Sequence, residues 1–205
     1  MREIDPNQTS RAKAFALWMK SPMPMVTFHK RYDITRLLRR AAKTGMKPNM
    51  LMCYCIGRAA DRTEEFYRLP VGDKLMEFDH LAINTIVMTD KGTINTCDIP
   101  FSADLEQFNA DYLRLTEQVK RTDQSYDLGE EYMVIGTSAL TKCEVDGVVN
   151  LYAGFCNNPF LAWGRYRKGW FKTTLMISFQ FHHTQMDGPQ STAFLNRLQE
   201  EFNRL

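Results

Sequence analysis

From Leu175 onward the chain alternates between two sets of positions. Leu175, Ile177, Phe179 and Phe181 are interleaved with Met176, Ser178 and Gln180, the two-residue period of a strand with one dry side. His183 continues the parity of the apolar set, so a strand that persists that far leaves its imidazole on the dry side. Gln180 and His182 point the opposite way, at best one layer removed from any chemistry at His183. Asp187-Gly188 breaks the strand, and Phe194, Leu195, Leu198, Phe202 and Leu205 then recur at helical spacing. The predicted unit is strand, His-His doublet, tight turn and amphipathic helix.

The remainder reads as a succession of short elements. Thr9 or Ser10 caps a first helix running to about Lys20, with Phe15 and Trp18 on its apolar side. Arg11 falls in its first turn, where a positive charge is unfavourable by up to about 1 kcal/mol, and an anionic partner would account for it. Ser21-Pro22-Met23-Pro24 breaks the chain before a predicted strand over residues 25–30. Asp33 caps a helix with Leu37, Leu38 and Ala41 on one side, Arg36, Arg39 and Arg40 on the other, and Gly45 at its end. Pro48-Asn49 starts a more apolar helix to about Phe66. Hairpin signals follow at Val71-Gly72-Asp73-Lys74 and Thr89-Asp90-Lys91-Gly92. Ser102 opens a helix carrying Leu105, Phe108, Tyr112, Leu115 and Val119, and Thr122 to Glu131 is a polar loop. Strands are predicted around Met133 to Ala139 and Val148 to Ala153, and a further one runs from the turn Asn157-Asn158-Pro159 to near Tyr166. Helices interspersed with about eight strands imply a single domain over residues 1–205, an α/β (α+β) two-layer sandwich whose mixed β-sheet is covered by helices.

Composition narrows the class. With 44% hydrophobic and 12% aromatic residues and a net charge of +2, the 205-residue chain suits one domain with a substantial core, and it lacks the basic bias of a nucleic-acid-binding protein. No apolar run approaches the ~20 residues that span a bilayer, and Met1-Arg2-Glu3-Ile4-Asp5 lacks the apolar segment of an export signal. The expectation is a soluble cytoplasmic protein without membrane or nucleic-acid partners. Its five cysteines include no C-x-x-C pair and read as reduced thiols. Cys53-Tyr54-Cys55 sits in an apolar helical run without a nearby His, so no metal site is expected.

The motif strand carries the candidate chemistry. His182-His183-Thr184-Gln185-Met186-Asp187-Gly188, set between a strand and a C-terminal helix, resembles the H-H-x-x-x-D-G signature of the chloramphenicol acetyltransferase family within the CoA-dependent acyltransferases. Ile4-Asp5 followed by Arg11 and Phe15 has the spacing of that family's F-D-x5-R-x3-F opening. Asp33-Ile34-Thr35 and the stretch from Pro100 to Phe108 are similar to its D-I-T and P-Y-S-S-D-I-D-Q-F segments, and the resemblance extends over nearly the whole chain.

That resemblance implies an acetyl-CoA-dependent O-acetyltransferase acting on chloramphenicol, a form of antibiotic inactivation, working as a homotrimer with active sites at subunit interfaces. His183 is implied as the general base; an imidazole with an unperturbed pKa of about 6.5 suits that work. Ser138, in a strand reading Ser138-Ala139-Leu140-Thr141-Lys142 where the family has S-A-x-P-W, is implied as the donor to the tetrahedral oxyanion. Asp187 is implied to pair with Arg11. A carboxylate four residues on, across a turn, need not face His183, so a Ser-His-Asp triad is not expected. Trp18, Leu17, Ile94 and Leu151 fall at acceptor-binding positions, and Arg165 and Tyr166 where a basic-aromatic pair lies near CoA. Leu17, Pro24, Ile94 and Thr96 replace other residues usual in the pocket wall. Two alternatives therefore stand beside the first: an acyltransferase for another hydroxyl or amine, and a catalytically idle small-molecule-binding member.

Overall fold

The computed structural model describes every residue of the chain except Ala153 and Phe155. In chain order its elements are β1 (Arg2–Ile4), α1 (Ala12–Trp18), β2 (Met25–Asp33), α2 (Thr35–Thr44), α3 (Pro48–Asp61), β3 (Arg68–Val71), β4 (Lys74–Glu77) and β5 (His80–Met88). There follow β6 (Ile94–Pro100), α4 (Leu105–Thr122), β7 (Tyr132–Ala139), β8 (Phe160–Trp163), β9 (Arg167–Lys168), β10 (Thr173–His182) and α5 (Gly188–Arg204). The main sheet has the order β2-β10-β8-β7-β5-β6, with β9 paired to the start of β10. It is mixed: β7 runs parallel to both β5 and β8, and the other pairs are antiparallel. A small second sheet, β1-β4-β3, lies apart from it; its first strand, Arg2–Ile4, has no apolar alternation to announce it.

The predicted alternation becomes the two faces of β10. Leu175, Ile177, Phe179 and Phe181 join the core with helical residues such as Met50, Ile56, Phe108 and Phe202. Phe179 meets Phe194 of α5 at 4.7 Å between ring centroids, and Phe66 packs on both. Each such ring taken fully out of water contributes about 1.5–3 kcal/mol. The helix boundaries follow local chemistry. Asp33 Oδ1 accepts hydrogen bonds from the Thr35 backbone and hydroxyl, and Gly45 ends α2 at φ 76°, where only glycine is unstrained. α3 stops at Asp61 rather than near Phe66, because Thr63 turns back on it through Oγ1 to the Ala59 carbonyl and N–H to the Ala60 carbonyl, 2.8 Å each. α4 is capped by Asp104, which accepts from the amides of Glu106 and Gln107, two residues beyond the expected Ser102.

One predicted strand is absent. Residues 148–152 form no strand, and Ala153, the last residue of that prediction, lies outside the described residues. Residues 148–152 mimic a strand in their side-chain pattern, but the backbone groups of Val148 and Asn150 find side-chain partners instead of a ladder. The Val148 amide donates to Ser178 Oγ at 2.9 Å, and the Asn150 carbonyl accepts from Gln180 Nε2 at 2.9 Å. Residues 148–152 are therefore an irregular cover, pinned on the face of β10 that the helices leave free. Among the described residues no helix is long and apolar enough to cross a membrane.

Candidate active site

β10 ends at His182, and the chain leaves the sheet in a tight turn stitched by the Gln185 amide to the His182 carbonyl and the His183 amide to the Pro24 carbonyl. His182 is 1% exposed, with Nδ1 accepting from the Thr184 backbone amide and within 2.8 Å of its hydroxyl. Burial, reinforced by the neighbouring His183, pushes its pKa down to about 4. It is a neutral, structural imidazole. His183 is different. Its ring stacks on the indole of Trp18, centroids 4.2 Å apart and planes at 14°, and its Nε2 makes no hydrogen bond to any described residue.

Beneath the turn lies Arg11, 6% exposed. Its guanidinium spans the turn from below: Nε donates to the Thr184 carbonyl at 2.9 Å, Nη2 to the His183 carbonyl at 2.7 Å, and both terminal nitrogens to the two oxygens of Asp187. This rigid fork fits its four acceptors as an ammonium would not. Arg11 holds the Asp187 carboxyl below the usual carboxylate range, opposed by partial burial. Asp187, which need not have faced His183, does come beneath it. Its Oδ1 lies 3.0 Å from His183 Nδ1, because the same guanidinium that grips the turn carbonyls draws the carboxylate under the ring. The contact is poorly aligned, and Nδ1 has no hydrogen-bond partner among the described residues. It is an electrostatic neighbour, unlike the orienting bond of a triad.

The other candidates are dispersed. Ser138 lies on β7 opposite Ala162 of β8, which in turn faces Ser178 of β10. Two strand spacings across and five residues along put it about 19 Å from His183 of the same chain. One chain does not bring the two together. Ser138 is two residues beyond Gly136 on β7, and Gly136 lines a cavity of about 430 Å³ on the outer face, between the sheet and residues that include Asn150, Leu151, Tyr152 and Cys156. Leu151 lies at its rim, 90% exposed, whereas Leu17 and Ile94 are solvent-exposed away from it. Gln180 lines the cavity directly, closer to a ligand than its parity suggested, because the face opposite the core is the one that carries the pocket. Asn84, Asp98 and Phe160 line it too. Nothing in the periodicity singles these out, since they come from three different strands. Gly136 belongs to the same row: a Cβ there would meet the Phe160 ring at 2.5 Å, so the glycine lets that ring form the floor.

Arg165 and Tyr166 occupy the other end of β8. They border a narrow apolar slot of about 90 Å³, with Leu38, Pro48, Met52 and Trp163 in its walls, and a wider mouth with Lys168. Arg167 spends its charge on Glu144 and Asp146. Arg165 and Lys168 have no carboxylate partner among the described residues. A slot fit for a slender chain, opening onto unspent cations and a phenol ring, suits a CoA thioester with its phosphates and adenine.

A family model described as chloramphenicol acetyltransferase matches residues 1–199. The chain belongs to the chloramphenicol acetyltransferase family. It is 28% identical to chloramphenicol acetyltransferase 3 of Escherichia coli over 177 residues, 83% of this chain and 82% of the relative. To chloramphenicol acetyltransferase 2 of the same organism it is 26% identical over 202 residues, covering 96% and 94%. A solved chloramphenicol acetyltransferase superposes with a TM-score of 0.86 at 18% identity, covering 98% of this chain and 99% of that one. The cubic core of a pyruvate dehydrogenase multienzyme complex shares the fold at a TM-score of 0.64 and 18% identity, over 98% and 91% of the two chains. Membership and fold support a CoA-dependent acetyltransferase.

Proposed function

We propose that this chloramphenicol acetyltransferase family member transfers the acetyl group of acetyl-CoA to a hydroxyl of a small acceptor in the cytoplasm, with chloramphenicol as first-choice acceptor. The observation that carries this reading is the state of His183: an imidazole fixed by Trp18 and the Arg11-braced turn, with Nε2 unspent. That nitrogen takes the acceptor's hydroxyl proton as the oxygen attacks the thioester carbonyl. Ser138, whose hydroxyl is likewise unspent among the described residues, donates to the oxyanion. Collapse expels the CoA thiolate, which recovers the proton from the imidazolium, leaving acetyl ester and free thiol.

The separation of about 19 Å between Ser138 and His183 supports an active site shared between subunits of a homotrimer, Ser138 and the cavity from one, His183 from the next. Ile86, Met88 and Ile94, apolar and exposed on the outer face of β5–β6, suit burial against a second copy. A monomeric mass by light scattering at micromolar concentration would count against this assembly.

A second reading, a different hydroxyl or amine acceptor, is favoured by the polar wall of the cavity, where Asn84, Asp98 and Gln180 stand in a row. One assay separates these from an idle binding protein. Purified protein is mixed with acetyl-CoA and chloramphenicol, and free thiol is followed. Rapid release supports the first reading, release only with other acceptors the second, and none across a broad panel defeats both.

A further inference from the structure

The strand register aligns Asp98, Asn84, Gly136, Phe160 and Gln180 in a single row across β6, β5, β7, β8 and β10, all facing the 430 Å³ cavity. The polar groups of that row are not neutral in what they offer. Gln180 is 7% exposed, and both hydrogens of its amide are committed, to Thr27 Oγ1 at 3.1 Å and the Asn150 carbonyl at 2.9 Å. The carbonyl acceptor fixes the orientation of the amide, leaving Oε1 without a donor among the described residues. At the opposite end Asp98 is 5% exposed. Its Oδ1 accepts from Asn84 Nδ2 at 2.7 Å and its Oδ2 from the Leu128 amide at 3.1 Å. Both bonds favour the carboxylate, yet no cation among the described residues lies within ion-pair distance of it. Asp127 adds a second carboxylate at the cavity mouth, making no hydrogen bond or ion pair to any described residue.

A buried carboxylate without a counter-charge is costly unless something supplies one, and a wall that presents acceptors calls for a ligand rich in donors. We propose that Asp98 makes this cavity a receptor for a cationic group, so that the acceptor is a hydroxyl compound that also carries an ammonium or guanidinium. This rests on reading the cavity as the acceptor site and on the second reading above, an acceptor other than chloramphenicol. The ammonium sits against Asp98 with Asp127 as a further acceptor at the cavity mouth, and the hydroxyl points toward the end of the cavity near Ser138. Burial raises the Asp98 pKa, opposed by its two hydrogen bonds, and a bound cation reverses that penalty.

The test uses a matched pair of acceptors: chloramphenicol, and the amine that remains when its dichloroacetyl group is removed, which keeps both hydroxyls and exposes an ammonium. Thiol release with acetyl-CoA gives kcat/KM for each. The expected result is a preference of about tenfold or more for the amine, one properly satisfied charge pair, lost in Asp98→Asn and weakened about threefold in Asp127→Asn, with the KM for acetyl-CoA unchanged. Asp127→Asn keeps the test decisive if Asp98→Asn folds poorly. Preference for chloramphenicol, or a preference that both variants retain, overturns the proposal. If neither compound is acetylated, the acyl-transfer reading fails separately, and calorimetric binding of the amine decides this inference. Binding weakened tenfold or more by Asp98→Asn upholds it; equal or undetectable binding overturns it.

Discussion

Removing the Arg11 side chain tests how the turn that carries His183 is held. Arg11→Ala deletes four charge-assisted hydrogen bonds at once. The carbonyls of His183 and Thr184 lose their donor, at about 1–3 kcal/mol each if they stay dry. The Asp187 carboxylate is 42% exposed at its side chain and can rehydrate, so it adds less than a fully buried ion would. A loss of about 3–5 kcal/mol follows, which for a chain of this size is a fall in Tm of about 6–20 °C. Asp187→Asn leaves Arg11 its two carbonyls and should cost less, about 2–4 kcal/mol. Because each variant strands the other's partner, the double variant should fall short of the summed losses by about 1 kcal/mol or more. Thermal and urea unfolding at one fixed protein concentration measure these values, with acetyl transfer recorded on the same samples. An Arg11→Ala protein that melts within 2 °C of wild type, or a strictly additive cycle with Arg11→Ala fully active, would refute the bracing role.

His183→Ala should lower kcat by about 10²–10⁴-fold with acetyl-CoA affinity intact, and retention of more than about a tenth of kcat would remove it as the base. Ser138→Ala should lower kcat with little change in KM, as expected of a donor to the transition state; a change confined to KM would assign Ser138 elsewhere. Mixing denatured His183→Ala and Ser138→Ala chains and refolding them together should restore about a quarter of wild-type activity if each site takes one residue from each of two neighbours in a symmetric ring, whereas activity no higher than the parents' average would place both in one chain. The lowered pKa of His182 means the unfolded chain binds a proton more readily than the folded one. Its contribution to stability is therefore complete above about pH 6.5 and is lost as pH falls toward about 4; urea titrations across that range should show the decline, and His182→Asn should remove it.

Much of this was legible because local chemistry and global packing agreed. The motif strand, the caps at Asp33 and Gly45, and the first-turn charge of Arg11 each carry their own signal, and the structure gives Arg11 the anion it lacked. The 148–153 strand misled because periodicity records which side chains could alternate, without recording what the backbone bonds to. There the donors and acceptors belong to Ser178 and Gln180. The placement of Asp187 under His183 depended on a fork reaching the turn from a helix far away in sequence. The row from Asp98 to Gln180 was hidden for a related reason. Its members come from β5, β6, β7, β8 and β10, and only the strand order makes them neighbours.

That strand order also bears on how the chain is made. β10 pairs with β2 on one side and β8 on the other, yet about 140 residues separate Asp33 at the end of β2 from Thr173 at the start of β10. At translation rates of about 5–20 residues per second, β2 waits some 7–28 seconds for its main-sheet partner. Throughout that interval a nine-residue segment with Val26, Phe28 and Tyr32 has no ladder to join, and α2 and α3 emerge before the sheet they cover can close. His29, Lys30 and Arg31, clustered in that segment, are the kind of residues that keep a waiting strand from pairing with the same strand on a neighbouring nascent chain. Expression yield should therefore be more sensitive to neutralising Lys30 and Arg31 than the stability of the finished protein is.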